Sequence, residues 1–158
     1  EWLFKLRIKK NNVQVEGFKE IKTIVIIINL DENKTCDLEA LTHSFEKLGK
    51  SVQSIGVSPS GRFHKDNKIK VATKSDFTFF GTPKNPWVQE FFSNKSDYAI
   101  LIDRSNNYLI NHLAIHCKAN CYIGYKSIPQ NQLLTLQIAP LLENEHETFL
   151  RYIKLIEN

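Results

Sequence analysis

Apolar positions along the chain fall into two rhythms. The first is the continuous run. Lys22–Leu30 reads KTIVIIINL, with six β-branched residues in a row from Thr23 to Ile28. A run of this kind, with no polar alternation, is the pattern of a strand buried on both faces, as at the centre of a parallel sheet. Tyr98–Ile102 and Cys121–Tyr125 repeat it in shorter form, and Ser51–Val57 and Leu133–Ile138 are further predicted strands. Lys68–Ala72 alternates and suits an edge, which its lysines would blunt.

The second rhythm is helical. Leu38, Leu41, Phe45 and Leu48 share one face of a helix predicted over 37–48, with Asp37 as N-cap and Gly49 just past its end. Pro86 starts a short helix reaching about Asn94, with proline at the first position. Asn106–Lys118 presents Leu109, Ile110, Leu113, Ala114 and Cys117 on one side. A last helix runs from Glu143 to Ile156, with Glu143, Glu145 and Glu147 at the end that the helix dipole makes positive. Strands and helices in the order β-α-β-β-α-β-α-β-β-α imply a mostly parallel sheet covered on both faces. With right-handed crossovers this is a three-layer, doubly wound α/β fold, Rossmann-like or flavodoxin-like. We expect one α/β domain over 21–158, preceded by a basic N-terminal arm over 1–20.

Size and composition agree. The 158 residues are 42% hydrophobic and 24% charged. A chain of this length buries roughly 69% of its unfolded surface and needs no staples. The longest apolar run, Ile24–Ile28, falls far short of the ~20 residues that span a bilayer. Three cysteines, Cys36, Cys117 and Cys121, are an odd number without framework spacing, which argues against a secreted disulfide fold. No signal peptide is visible, and the cytoplasm is the expected compartment. The chain begins at Glu1 and holds no methionine, so a processed or truncated protein is expected.

Charge changes the picture because it is uneven. The net charge is +4, yet residues 1–22 carry +3 and residues 62–74 carry +4, which leaves −3 for everything else. The second block contains Arg62, Lys65, Lys68, Lys70 and Lys74 against Asp66 alone. Such patches attract phosphates, nucleic acid, anionic lipid or acidic proteins. Lysine outnumbers arginine 17 to 4, which speaks against a phosphate clamp, since arginine is the residue that forks onto phosphate. Close to the basic block, Asp76–Pro86 (DFTFFGTPKNP) is a loop dense in aromatics. Phe77, Phe79, Phe80 and Trp87 either fold under the sheet edge or form a wall for a partner. Together with the basic residues, exposed rings suit an acidic protein or stacked single-stranded nucleic acid, although no nucleic-acid motif accompanies them.

A second candidate site lies at the C-terminal ends of the strands, where open parallel sheets bind ligands. The first strand ends in Asp31-Glu32 and the 98–102 strand in Asp103-Arg104-Ser105. If these strands are neighbours, Asp31 and Asp103 lie across one crevice, with Arg104 beside them and Lys126 following the 121–125 strand. The plainer alternative is that both carboxylates cap turns. Residues 29–34 contain no glycine, so the dinucleotide fingerprint and the P-loop are both missing, and no cofactor is expected. His112 and His116 share a helical face at a two-ligand spacing, but no glutamate follows His112, and no metal is expected.

From Asp76 onward the chain resembles an uncharacterised α/β family of Bacteroidota, classed as a domain of unknown function. The resemblance is carried by Asp76-Phe77, Phe80-Gly81, Pro83-Lys84, Phe91-Phe92, Asp97 before an apolar strand, and Ala119 ahead of Tyr122-Ile123-Gly124. Asn29-Leu30-Asp31-Glu32 after the first strand also fits, so the likeness covers roughly 20–158. Cys121 and Tyr122 stand where the family favours a Phe–Lys pair. The resemblance implies the fold and a cytoplasmic setting, and offers no activity. The function expected from the residues is a non-catalytic interaction module. It would bind an acidic protein or nucleic-acid-containing assembly through Arg62, Lys65, Lys68, Phe79, Phe80 and Trp87. The alternative is an enzyme or sensor for a small or phosphate-bearing ligand, using Asp31, Asp103, Arg104 and Lys126.

Overall fold

A computed structural model of the chain describes residues 15–33, 36–62, 69–126, 132–139 and 145–156. Among them are six strands: β1 (Thr23–Asn29), β2 (Ser51–Val57), β3 (Val71–Ala72), β4 (Tyr98–Ile102), β5 (Cys121–Tyr125) and β6 (Leu136–Ile138). Four helices accompany them: α1 (Leu38–Lys47), α2 (Pro86–Ser93), α3 (Tyr108–His116) and α4 (Glu145–Lys154). The strands form one all-parallel sheet in the order β3-β2-β1-β4-β5-β6. This is the doubly wound order whose direction of winding reverses between β1 and β4.

The uninterrupted apolar run of β1 is explained by its place. It is hydrogen-bonded on both sides, with Ile26 opposite Ser54 of β2 and Ile100 of β4. Its side chains feed two separate cores. Ile24, Ile26 and Ile28 pack with Leu41 and Phe45 of α1 and Phe149 and Ile153 of α4. Val25 and Ile27 pack with Val88 and Phe91 of α2, Leu109 and Leu113 of α3, and Cys117 just after α3. Each face of the sheet is therefore covered by two helices.

Helix ends follow local chemistry. Asp37 Oδ1 accepts the Ala40 N–H at 2.9 Å and caps α1, and Gly49 leaves the helix with φ +79°. Helix α3 is two residues shorter at each end than its apolar pattern predicts, because Asn106 (φ +54°) and Lys118 (φ +49°) are both left-handed and cannot continue it. Asn107 takes the cap instead, accepting from Leu109 N–H at 2.9 Å. Strands β3 and β6 are also shorter than predicted, beginning at Val71 and Leu136. No helix is long and apolar enough to cross a membrane among the described residues.

The segment before β1 is tied to the body. Phe18 and Ile21 are buried in the α1–α4 core, and Phe18 N–H donates to the Ile156 carbonyl at 2.8 Å. Lys50 Nζ donates to the carbonyls of Phe18 and Ile21, both at 2.7 Å, and lies 4.6 Å from the Phe18 ring centre. Residues 1–14 of the expected arm lie outside the described residues.

At the N-terminal ends of β1 and β4, Asp97 is a latch. Its Oδ2 accepts the N–H of Lys22 (2.7 Å), the N–H of Thr23 (2.8 Å) and the Thr23 hydroxyl (3.0 Å). Partial burial would raise the Asp97 pKa, but these donors and the Lys22 charge outweigh it and hold the carboxyl below its usual range. A carboxyl with a lowered folded pKa stabilises the native state while ionised. That contribution is complete above the unfolded value of 3.8 and fades as pH falls through the lower folded one. Asp97→Ala is expected to cost about 2 kcal/mol at neutral pH, the scale of hydrogen bonds to a charged acceptor. Denaturant melts from pH 7 to pH 2 check this: the gap between variant and wild type should narrow only below about pH 4.

Candidate functional site

The turn of the sheet winding places the ends of β1 and β4 side by side, with Asp31 and Asp103 just beyond them. Their carboxylates, however, are drawn in different directions. Asp31 Oδ1 accepts the Ser58 hydroxyl at 2.7 Å and Oδ2 the Ser60 N–H at 2.8 Å, which ties the end of β1 to the turn after β2. Desolvation opposes its charge, but these bonds and the nearby Arg62 prevail and lower its pKa. Asp103 accepts the Asn107 N–H at 2.6 Å and the Ser105 hydroxyl at 2.8 Å, and so shapes the entry to α3.

Between them stands Asn29, the last residue of β1. Its amide donates to Asp103 Oδ1 at 2.9 Å, while its Oδ1 accepts the Asp31 N–H at 3.1 Å. Asn33 ties the two strand ends together by donating to the carbonyls of Asn29 (3.0 Å) and Ile102 (3.1 Å). Asn29, Asn33, Ser58 and Asp103 are all buried. The cavity nearby, between β4, β5 and α3 and bordered by Asp103, Ile110 and Tyr125, measures about 10 Å³. That is at most the room of one water. Arg104 is exposed, with its guanidinium 5.1 Å from the Tyr125 ring and its N–H donating to Glu32 at 3.1 Å. Lys126 continues the β5–β6 ladder through its N–H to the Ile138 carbonyl (3.0 Å), with its side chain exposed. Asn29, Asn33 and Ser58 were missed as members of this network. The available signal was an amide closing an apolar strand, which must find partners when buried.

The aromatic loop is a clamped hairpin. Asp76 holds its base: Oδ2 accepts the Thr73 N–H (2.7 Å) and hydroxyl (3.0 Å), Oδ1 accepts the Asn85 amide, and the Asp76 carbonyl accepts the Lys84 N–H (2.8 Å). Phe77 and Pro83 form an antiparallel bridge, and Thr78 N–H donates to the Thr82 carbonyl at 2.8 Å. The chain reverses over Thr78–Gly81, closed by Gly81 N–H to the Thr78 carbonyl (2.9 Å), with Gly81 at φ +81°. His112 of α3 bonds the Gly81 carbonyl through Nε2 at 2.7 Å. Its ring also meets Phe77 edge-on at 5.4 Å. His116 stacks on Phe92 at 4.3 Å and bonds the His112 carbonyl through Nδ1. His112 thus braces the hairpin on α3 while His116 packs α3 against α2, and no group of three metal-ligating side chains exists among the described residues.

This clamp separates the aromatics that composition alone could not. Phe77 is buried with Phe91 and Phe92. Trp87 is half-buried against the same core, with Lys70 Nζ 6.0 Å from its ring centre. Phe79 and Phe80, at the turn, are 99% and 88% exposed and touch each other edge-to-face at 5.6 Å. Tyr108, 51% exposed, lies 5.4 Å from Lys74 Nζ. Arg62 is exposed beyond the Ser60 turn. Lys65 and Lys68 lie outside the described residues. Cys117 and Cys121 are buried, and burial pushes the Cys121 thiol up to about 11 and Cys117 higher still, which leaves neither as a thiolate nucleophile at neutral pH.

Fold and strand-end network together define an α/β protein of Rossmann strand order whose strand-end polar side chains are bonded to one another and to the adjoining turns. The chain belongs to DUF6913, a family of unknown function, whose model matches residues 1–156 and so includes the segment before β1. No curated protein and no solved structure matches it.

Proposed function

We propose that this chain is a non-catalytic interaction module that binds an acidic partner through the Phe79–Phe80 hairpin and the basic residues around it. The observation that carries the reading is the pair of phenylalanines left fully in water at the tip of a hairpin whose every other feature has structural employment. Asp76, Phe77, Gly81, Pro83 and Asn85 all serve the clamp. Phe79 and Phe80 contribute nothing to the core, yet the backbone presents them rigidly. Two preorganised rings offer a partner large apolar area at little entropic cost. Between Ile69 and Gln89 the only acid is Asp76, which is buried, while Lys70, Lys74 and Lys84 are exposed. The partner face is therefore expected to be acidic around an apolar socket. The strand-end residues support the same reading, because the carboxylates a ligand would need are already bonded within the fold.

The test uses the partner recovered by cross-linked pull-down from native lysate. Phe79→Ser/Phe80→Ser is expected to weaken binding by more than about 30-fold, the scale of losing buried aromatic anchors. Folding stability should stay within about 0.5 kcal/mol, as for exposed positions generally. Charge reversal at Arg62, Lys65 and Lys68 should weaken binding further, and affinity should fall with added salt. Binding insensitive to salt and to both variants, but lost in a folded Asp103→Ala protein, would transfer the function to the strand ends.

A further inference from the structure

The second open feature of the molecule is the outer edge of β2. Strand β3 pairs with Gly56 and Val57 alone and leaves the first part of β2 uncovered by any described strand. In a parallel ladder, successive residues bond alternately to the two neighbours. Ser51 N–H donates to Lys22 on the β1 side, whereas Gly56 N–H donates to the Lys70 carbonyl on the β3 side. By that alternation the backbone groups of Val52 and Ser54 point outward, where β3 does not reach. A groove of about 280 Å³ lies there. Its walls include all four consecutive residues 52–55 together with Ile69, Lys70, Trp87 and Phe91. Neighbouring strand residues face opposite sides of a sheet, so a groove lined by four in succession runs along the strand edge and not over one face.

We propose that this groove takes up an extended acidic segment of a partner protein as an added strand, in line with β3. The proposal rests on the reading of the chain as a module for acidic partners and specifies how such a partner is held. The outward N–H and C=O groups of Val52 and Ser54 call for the main chain of an extended segment, spaced about 4.8 Å from β2. Trp87 and Phe91 supply an apolar wall for alternate side chains of the guest. Lys70, with its ammonium beside the Trp87 ring, supplies the charge that selects an acidic neighbour in the guest sequence. The exposed charges on the adjoining chain, Lys74 and Lys84, have the same sign, and Glu90 is the first exposed acid to follow. Uncovered edges of this sort recruit strands readily.

The probe is a random decapeptide display library selected on the full chain. Enriched peptides are expected to alternate apolar residues with Asp or Glu and to contain no proline in the pairing stretch. Binding should slow amide exchange at Val52 and Ser54. Backbone N-methylation at alternate residues of an enriched peptide should weaken it at least tenfold, and so should Lys70→Glu. Ser54→Pro removes one outward N–H and should abolish binding; because it can disturb the sheet, Lys70→Glu and the N-methylated peptide decide the matter if it unfolds. An empty selection, enriched peptides without acids, or unchanged exchange at Val52 and Ser54 overturns the proposal. So does self-association in sedimentation that Ser54→Pro removes, since a second copy would then own the edge. If Phe79→Ser/Phe80→Ser disrupts the native partner while Lys70→Glu does not, the strand-addition proposal fails and the module reading survives.

Discussion

Leu113→Ala is expected to cost about 2–5 kcal/mol of folding stability, the range for truncating a buried leucine. Leu113 is fully buried at 0% exposure, in the middle of α3, on the face that covers β1 and β4. Its neighbours in that core include Val25, Ile27 and Leu101 from the sheet. These strand residues are held in register by ladders on both sides, so they cannot collapse into the space a missing isobutyl group leaves. The loss is a large share of the 5–15 kcal/mol that a domain of this kind commands. Leu155→Ala provides the contrast. Leu155 is 68% exposed and its replacement should fall within about 0.5 kcal/mol. Urea denaturation of both variants measures the difference. An unchanged midpoint for Leu113→Ala would mean that the α3 face is not packed on the sheet.

The same packing explains why so much of the fold was legible. Strands β1, β4 and β5 were read to their limits because a central parallel strand leaves its signature in every residue, with no solvent-facing position to break the run. The edge strands were overestimated for the converse reason. β3 pairs on one side for two residues, and what precedes it in sequence, Ile69 and Lys70, alternates like a strand without being paired as one. Helix α3 was read too long because periodicity reports the apolar face, whereas the ends are set by Asn106 and Lys118 adopting positive φ. At the strand ends, the neighbours Asp31 and Asp103 were placed correctly by the order of elements. That both carboxylates serve turns was the plainer of the two readings; the asparagine network between them was not legible, because an asparagine after a strand reads equally well as an exposed turn residue. The aromatic loop shows the limit most plainly. Phe77, Phe79 and Phe80 are chemically the same, and only the reversal at Thr78–Gly81 sends the first inward and the other two to water.

That reversal depends on Gly81, and Gly81→Ala is expected to destabilise the hairpin by about 2–4 kcal/mol through two separable causes. The first is conformational. Gly81 sits at φ +81°, where an L-residue is strained by about 1–2 kcal/mol. The second is steric. A Cβ built on Gly81 would lie 2.8 Å from His112 Cε1 and 3.1 Å from Nε2. The imidazole cannot simply swing aside, since its Nε2 is bonded to the Gly81 carbonyl and its ring is wedged against Phe77 and Phe92. A double-mutant cycle separates the two. In a His112→Ala background the added methyl meets no ring, and the cost of Gly81→Ala should shrink to the conformational part. Both variants loosen the platform that aims Phe79 and Phe80 at a partner, so partner affinity should fall along with hairpin stability, read as faster amide exchange at Thr78 and Gly81. An equal cost of Gly81→Ala in both backgrounds would show that His112 does not brace the turn. No cost in either would show that the turn is not left-handed, and with it would go the rigid presentation on which the two exposed phenylalanines depend.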